Sequence, residues 1–151
     1  MKILIAASEV VPFAKTGGLA DVAGALPLAL EEEGQEVIIA MPKYKAIDGS
    51  KFNIKKLKEG ISYSLIGKNI KVYFIENDLY FNRDGLYGDK NGDYKDNLER
   101  FSYYCKKTLE LLKEISFSRP TITMAGGIPP ALNSLAGKPD IIHVHDWQAS
   151  L

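Results

Sequence analysis

The 151-residue chain is 46% hydrophobic and 25% charged, a globular composition that excludes a disordered, collagenous or membrane-embedded polypeptide. Its length suits one ordinary domain with a core of its own, since domains commonly run to roughly 100 to 200 residues. Nineteen Lys and Arg balance nineteen Asp and Glu, so no broad positive field exists to gather nucleic acid or an anionic membrane surface.

Lys2 to Ala7 is an apolar run with one basic residue at its edge, the pattern of a strand buried on both faces of a parallel sheet. It is too short for a signal-peptide core, and no apolar run approaches the roughly 20 residues that span a bilayer. A loop with Pro12, Gly17 and Gly18 follows. Leu19, Val22, Ala23, Leu26 and Leu30 then fall at helical spacing, which predicts a helix from Leu19 to about Glu33 with Gly34 as its stop. Pro27 predicts a kink or a missing hydrogen bond inside it. Glu36 to Met41 reads as the next strand, so the first 41 residues form a strand, loop, helix and strand with a right-handed crossover.

Phe52 to Lys58, Ser62 to Ile66 and Ile70 to Ile75 are short β-like runs broken by Gly60 and by Gly67 to Asn69, which predicts a hairpin added to the parallel core. Asn77 to Asp96 has the Asn, Asp, Gly and aromatic composition of a long surface loop. Leu98, Phe101, Cys105, Leu109 and Leu112 step by three and four, predicting an amphipathic helix from Asn97 to about Ile115. Cys105 is the only cysteine; no intrachain disulfide is possible, and a buried thiol in a reducing, cytoplasmic setting is expected. Residues 116–137 are rich in Gly and Pro, with one further helical turn expected over Ala131 to Ala136. Ile141 to Val144 is a last strand. The fold class expected is α/β, a Rossmann-like parallel sheet with helices on both faces plus a β-hairpin.

In open α/β sheets ligands bind beyond the carboxyl ends of the strands. There the first strand delivers Ser8 and Glu9, and the next helix opens on Gly17 and Gly18 beside Lys15. Glycines let backbone approach a ligand closely, a helix N-terminus offers unpaired N–H groups, and the lysine adds a mobile cation. Such an entrance can hold a phosphate. A Gly-Gly turn alone is more often only a turn. The fingerprints of a P-loop and of a dinucleotide-binding turn are both absent, and His143 and His145 have no further Cys or His to complete a metal site. Glu9 and Asp21 also raise a carboxylate pair for glycoside hydrolysis, which sequence spacing alone does not establish.

The string from Ser8 to Val22, containing Lys15-Thr16-Gly17-Gly18-Leu19-Ala20-Asp21-Val22, resembles the N-terminal signature of bacterial glycogen synthases and plant starch synthases. Met41-Pro42-Lys43-Tyr44 and Ile142 to Gln148 extend the resemblance, which lapses over 116–137, an atypical insertion by the family's pattern. The resemblance implies the N-terminal, acceptor-side half of a two-domain GT-B enzyme, with the C-terminal nucleotide-sugar domain outside this sequence. Such enzymes move glucose from ADP-glucose to the nonreducing end of an α-1,4-glucan with retention, without a metal or other cofactor. By resemblance, Lys15 is catalytic, stabilising the departing diphosphate. Thr16, Gly17 and Gly18 join it in the donor site, and Asp21, Tyr87, Asp146 and Trp147 bind the acceptor or sugar. The expected partners are the nucleotide sugar, the glucan and the absent domain, and this piece alone is expected to be inactive. The alternative is a non-catalytic glucan-binding or carrier domain displaying 116–137.

Overall fold

The computed structural model describes residues 1–113, 115 and 138–151; the expected insertion over 116–137, with its helical turn, lies outside the described residues. In chain order the elements are β1 (Lys2–Ala6), α1 (Gly18–Glu32), β2 (Glu36–Pro42), β3 (Lys55–Lys58), β4 (Ile61–Ile66) and β5 (Ile70–Ile75). They continue with α2 (Asp78–Phe81), β6 (Gly88–Asp89), β7 (Gly92–Asp93), α3 (Asn97–Leu111), β8 (Ile141–Val144) and a 3₁₀ turn, Trp147–Ala149.

The main sheet runs β3-β4-β5-β2-β1-β8. β1 pairs in parallel with β2 and β8, and β2 with β5, whereas β4 pairs antiparallel with both β5 and β3. The expected parallel core with an added hairpin is therefore present. β1 and β2 are buried along nearly their whole length, as continuous apolar strands must be when both faces are covered. Leu4 and Ala6 line a cavity with Tyr104, Cys105 and Thr108 of α3. Ile3 and Ile5 point the other way and are equally buried, and α1 packs on the neighbouring β2 and β5.

The helices keep their expected places but not their expected faces. α1 runs unbroken through Pro27 and buries Ala20, Ala23, Gly24 and Pro27, while Val22 turns outward. Its small residues are used because the helix lies close to the loop before it. It ends as Gly34, at φ 75°, donates to Glu31 and Gln35 donates to Leu30, a left-handed stop that releases the chain into β2. In α3 the buried set is Arg100, Phe101, Tyr104, Cys105, Thr108 and Leu111, and Leu98 and Leu109 are solvent-facing. Reading only apolar residues rotated that stripe, because Arg100, which has internal partners, and Thr108 occupy part of it. Among the described residues no helix is long and apolar enough to cross a membrane.

Two further expectations are corrected. β3 begins at Lys55 rather than Phe52, since the chain is still turning at Asn53, φ 49°. The segment from Asn77 to Asp96 is not plain loop. Asn77 caps α2 by accepting from the amide of Tyr80, Phe81 is fully buried, and β6 and β7 form a two-residue hairpin.

Candidate active site

The carboxyl ends of β1 and β8 lie side by side, held by the His145 amide donating to the Ala6 carbonyl at 2.9 Å. Ser8 and Glu9 leave β1 fully buried or nearly so. The chain then makes a narrow loop in which Val10 and Ala14 bond to each other's backbone across a cis Val11–Pro12 peptide. The Val11 amide donates to the Ala20 carbonyl at 3.1 Å, which draws the loop onto α1.

Glu9 organises this loop. Its Oε2 accepts from the backbone amides of Thr16 and of Gly17, the latter at 3.3 Å, and its Oε1 accepts from the Thr16 hydroxyl at 2.8 Å and the Tyr87 hydroxyl at 2.7 Å. Burial alone drives this carboxyl's pKa up, but the combined hydrogen bonds from Thr16, Tyr87 and Gly17 outweigh it and leave the pKa below the ordinary Glu value. Glu9 is thus a buried anion. Sequence reasoning noticed it only as half of a carboxylate pair; the usable signal was an acid at the end of a buried strand, seven residues before Thr16.

Two expectations about the helix entrance change accordingly. The amide and hydroxyl of Thr16 and the amide of Gly17 are already satisfied by Glu9, so these groups are not open to a donor phosphate. What remains is the first turn of α1, which takes no side-chain cap. Lys15 is not a free cation either: its ammonium lies 2.7 Å from both carboxylate oxygens of Asp21. That gives Asp21 a different partner from the sugar the resemblance implies, in a helical turn where negative charge is favoured.

Among the described residues, no close contact requires Gly17 or Gly18 to lack a side chain. Gly17 is extended, at φ −143° and ψ −168°, and a Cβ built on either residue meets nothing within 4 Å. The space above them is open and lies at the carboxyl edge of the sheet, beside the uncapped first turn.

Tyr87 reaches the same edge from the loop between α2 and α3. Its hydroxyl lies 2.7 Å from Ser8 Oγ as well as from Glu9, so Ser8 donates to Tyr87 and Tyr87 to Glu9. Burial raises the Tyr87 pKa well above its ordinary range, and the negative charges of Glu9 and Asp146 add to the rise. Its backbone is fixed from α3: Asn97 donates to the Tyr87 carbonyl at 2.8 Å, and the fully buried Arg100 donates to the carbonyls of Tyr80 at 2.7 Å and Leu86 at 3.0 Å. Neither Asn97 nor Arg100 stood out in the sequence, where a lone arginine in a helix reads as surface.

Asp146 and Trp147 follow β8. Asp146 sits at φ 65° and ψ 173°, and its carboxylate accepts from the Trp147 amide at 2.7 Å. That conformation is strained for a residue with a side chain, by about 1 to 3 kcal/mol, and such strain gathers at functional sites. Trp147 is 45% exposed rather than core. Its ring stands edge-on to Phe101 at 5.5 Å, and Phe101 also packs against Tyr87 at 5.9 Å. Tyr87, Asp146 and Trp147 are thus brought together, while His145 stacks on His143 at 4.4 Å and is held toward neutrality by burial and by that neighbour. Among the described residues no group of three or more His, Cys, Asp or Glu is placed to hold a metal ion.

Residues 2–151 match the family model described as the starch synthase catalytic domain. The chain is 39% identical over 163 residues to a glycogen synthase of Geotalea daltonii and 40% identical over 163 residues to one of Geotalea uraniireducens. It is 35% identical over 169 residues to a glycogen synthase of Thermotoga petrophila. All of this chain is covered in each case, and it spans about 30% of the length of these curated relatives. Among solved structures it is similar to the catalytic domain of starch synthase IV from Arabidopsis thaliana bound to ADP and acarbose. That likeness has a TM-score of 0.70 at 31% identity, covering 98% of this chain and 28% of the other.

Proposed function

The chain belongs to the starch synthase catalytic-domain family, and from that premise we propose that it forms the acceptor-side wall of a GT-B active site that moves glucose from ADP-glucose to the nonreducing end of an α-1,4-glucan. One observation carries the reading: Gly17 and Gly18 keep clear a space that none of the described residues fills, at the N-terminus of α1 beside Lys15. Missing side chains, uncapped amides and a cation together suit a diphosphate.

In this proposal the helix terminus and Lys15 stabilise charge as the diphosphate departs, the electrostatic contribution that is commonly the largest in such sites. Thr16 shapes the loop through Glu9 and does not itself contact the donor. Asp21 neutralises Lys15 until the diphosphate takes over. Tyr87, Asp146 and Trp147 form the sugar-binding side, a carboxylate flanked by aromatic surface. A second domain, as the greater length of the relatives suggests, supplies the facing wall, so residues 1–151 alone are expected to incorporate no glucose into glycogen.

The test uses a full-length synthase carrying these residues. Gly18→Ala should leave thermal stability unchanged or raised, because alanine favours a helix over glycine by about 1 kcal/mol, yet lower turnover at least tenfold. Lys15→Ala should lower turnover on the order of 10²-fold or more, the scale for losing one such group. Unchanged turnover in both variants would overturn the assignment of this entrance to the donor.

A further inference from the structure

We propose that Glu9 is a positioning residue of the transfer reaction: its one buried carboxylate joins the Lys15 to Gly18 loop to Tyr87, so that the diphosphate side and the sugar side of the cleft are set together. The inference rests on the transferase reading above.

An ionised carboxylate offers about four lone-pair sites. On Glu9 four donors fill them: the Thr16 and Gly17 amides on Oε2, and the Thr16 and Tyr87 hydroxyls on Oε1. The residue is also only 3% exposed. It has neither the capacity nor the access to touch a substrate, and any effect on turnover must pass through what it holds. On one side it fixes the two residues before the open space at the head of α1. On the other it fixes Tyr87, 78 residues away in sequence, whose hydroxyl is the middle of a relay from Ser8 to Glu9. The depressed pKa of Glu9 agrees with a charge that all four donors share. A loop cap meant only for stability would need the two amides and not the tyrosine.

Glu9→Gln separates the two roles. The glutamine oxygen can still accept from the Thr16 and Gly17 amides, but its amide nitrogen must donate to two hydroxyls that previously donated, so the relay from Ser8 through Tyr87 has to reverse and the bond to Tyr87 loses its charge while the volume stays. In the full-length synthase, Glu9→Gln should lower kcat on the order of 10²-fold, the cost of a misplacement of about 1 Å, with a smaller change in the KM for ADP-glucose. In the 151-residue chain, Tyr87→Phe should shift the amide resonances of Thr16 and Gly17 and speed their hydrogen exchange at least tenfold. The same substitution in a Glu9→Gln background should move them little. Unmoved amides in Tyr87→Phe would overturn the coupling, even if Glu9→Gln itself failed to fold. An active enzyme whose Glu9→Gln variant turns over within twofold of the parent would overturn the positioning role alone. A wild-type full-length chain with no transfer activity would overturn the transferase reading, leaving the amide coupling as a separate result.

Discussion

Lys15 Nζ lies 2.7 Å from both carboxylate oxygens of Asp21, which stands in the first turn of the helix that Lys15 precedes. The cation at the head of α1 is therefore partnered before any anion arrives. Both side chains are more than half exposed, and exposed pairs are worth at most about 1 kcal/mol. A diphosphate carrying more than one charge, placed against the same helix terminus, outcompetes a single surface carboxylate. The pair stores the lysine close to where the proposed mechanism needs it.

Asp21→Asn should release that ammonium. Losing a competitor worth about 1 kcal/mol corresponds to roughly a fivefold gain in affinity, given tenfold per 1.4 kcal/mol. Calorimetric titration of the full-length synthase with ADP should show tighter binding of up to that size, with the melting temperature nearly unchanged. Weaker ADP binding would mean that Asp21 contributes to the donor site directly rather than by competing for Lys15.

Gly24 gives a test of how the loop is seated. Replacing a mid-helix glycine by alanine ordinarily stabilises by about 0.5 to 1 kcal/mol. Here a Cβ on Gly24 would stand 2.8 Å from the Val11 carbonyl oxygen and 3.2 Å from the Val11 Cβ, and Val11 is bonded to Ala20 of the same helix. Gly24→Ala should therefore reverse the usual sign and destabilise by about 1 to 3 kcal/mol, the range for overpacking. Urea denaturation measures it, and a gain in stability would show that the loop is free to move away from α1.

The parallel core was legible because β1 and β2 are uninterrupted apolar runs, and few elements other than doubly covered strands have that pattern at that length. The hairpin was legible from Gly60 and from the turn between Ile66 and Ile70. What could not be read was polar burial. Arg100 belongs to the inner face of α3 because the carbonyls of Tyr80 and Leu86, far away in sequence, receive it, and a hydropathy pattern has no access to such partners. The site divides in the same way. Lys15, Gly17, Gly18, Tyr87, Asp146 and Trp147 were visible through motif and family resemblance, whereas Glu9, which holds Thr16, Gly17 and Tyr87, was visible only as an acid after a strand. A residue whose importance lies in long-range hydrogen bonds leaves no local signature.

Glu9 also makes stability depend on acid. Its folded pKa lies below the ordinary value near 4.5, so the unfolded chain binds the proton more readily. The stability it contributes is complete above the unfolded value and is lost as pH falls through the folded one. Asp96, held low chiefly by its hydrogen bonds with Arg83, acts in the same direction. The urea midpoint should begin to fall near pH 6.5, where the unfolded chain protonates a His145 that the fold keeps neutral, and fall further below about pH 4.5 as Glu9 and Asp96 are protonated. Glu9→Gln should start lower at neutral pH and fall less steeply in acid, and an unchanged slope would show that Glu9 is not protonated in that window.

The loop that delivers Tyr87 depends on glycine for a different reason from the loop that carries Lys15. A Cβ on Gly85 would lie 1.8 Å from the Gly88 carbonyl oxygen, a backbone atom with no freedom to swing aside. The Tyr94 amide bonds to the Tyr87 carbonyl at 3.0 Å across the same turn, and Arg100 grips Leu86 from below. Gly85→Ala must therefore open the turn. Tyr87 stands inside that turn, so the displacement reaches it and its bonds to Asn97, Ser8 and Glu9. In the full-length synthase, kcat/KM for maltooligosaccharide acceptors should fall on the order of 10²-fold. ADP affinity should fall as well, but by only a few fold, because Tyr87 reaches the Lys15 to Gly18 loop only through Glu9. Equal losses toward acceptor and ADP would indicate collapse of the whole cleft, and no loss toward either would remove Tyr87 from the sugar-binding side.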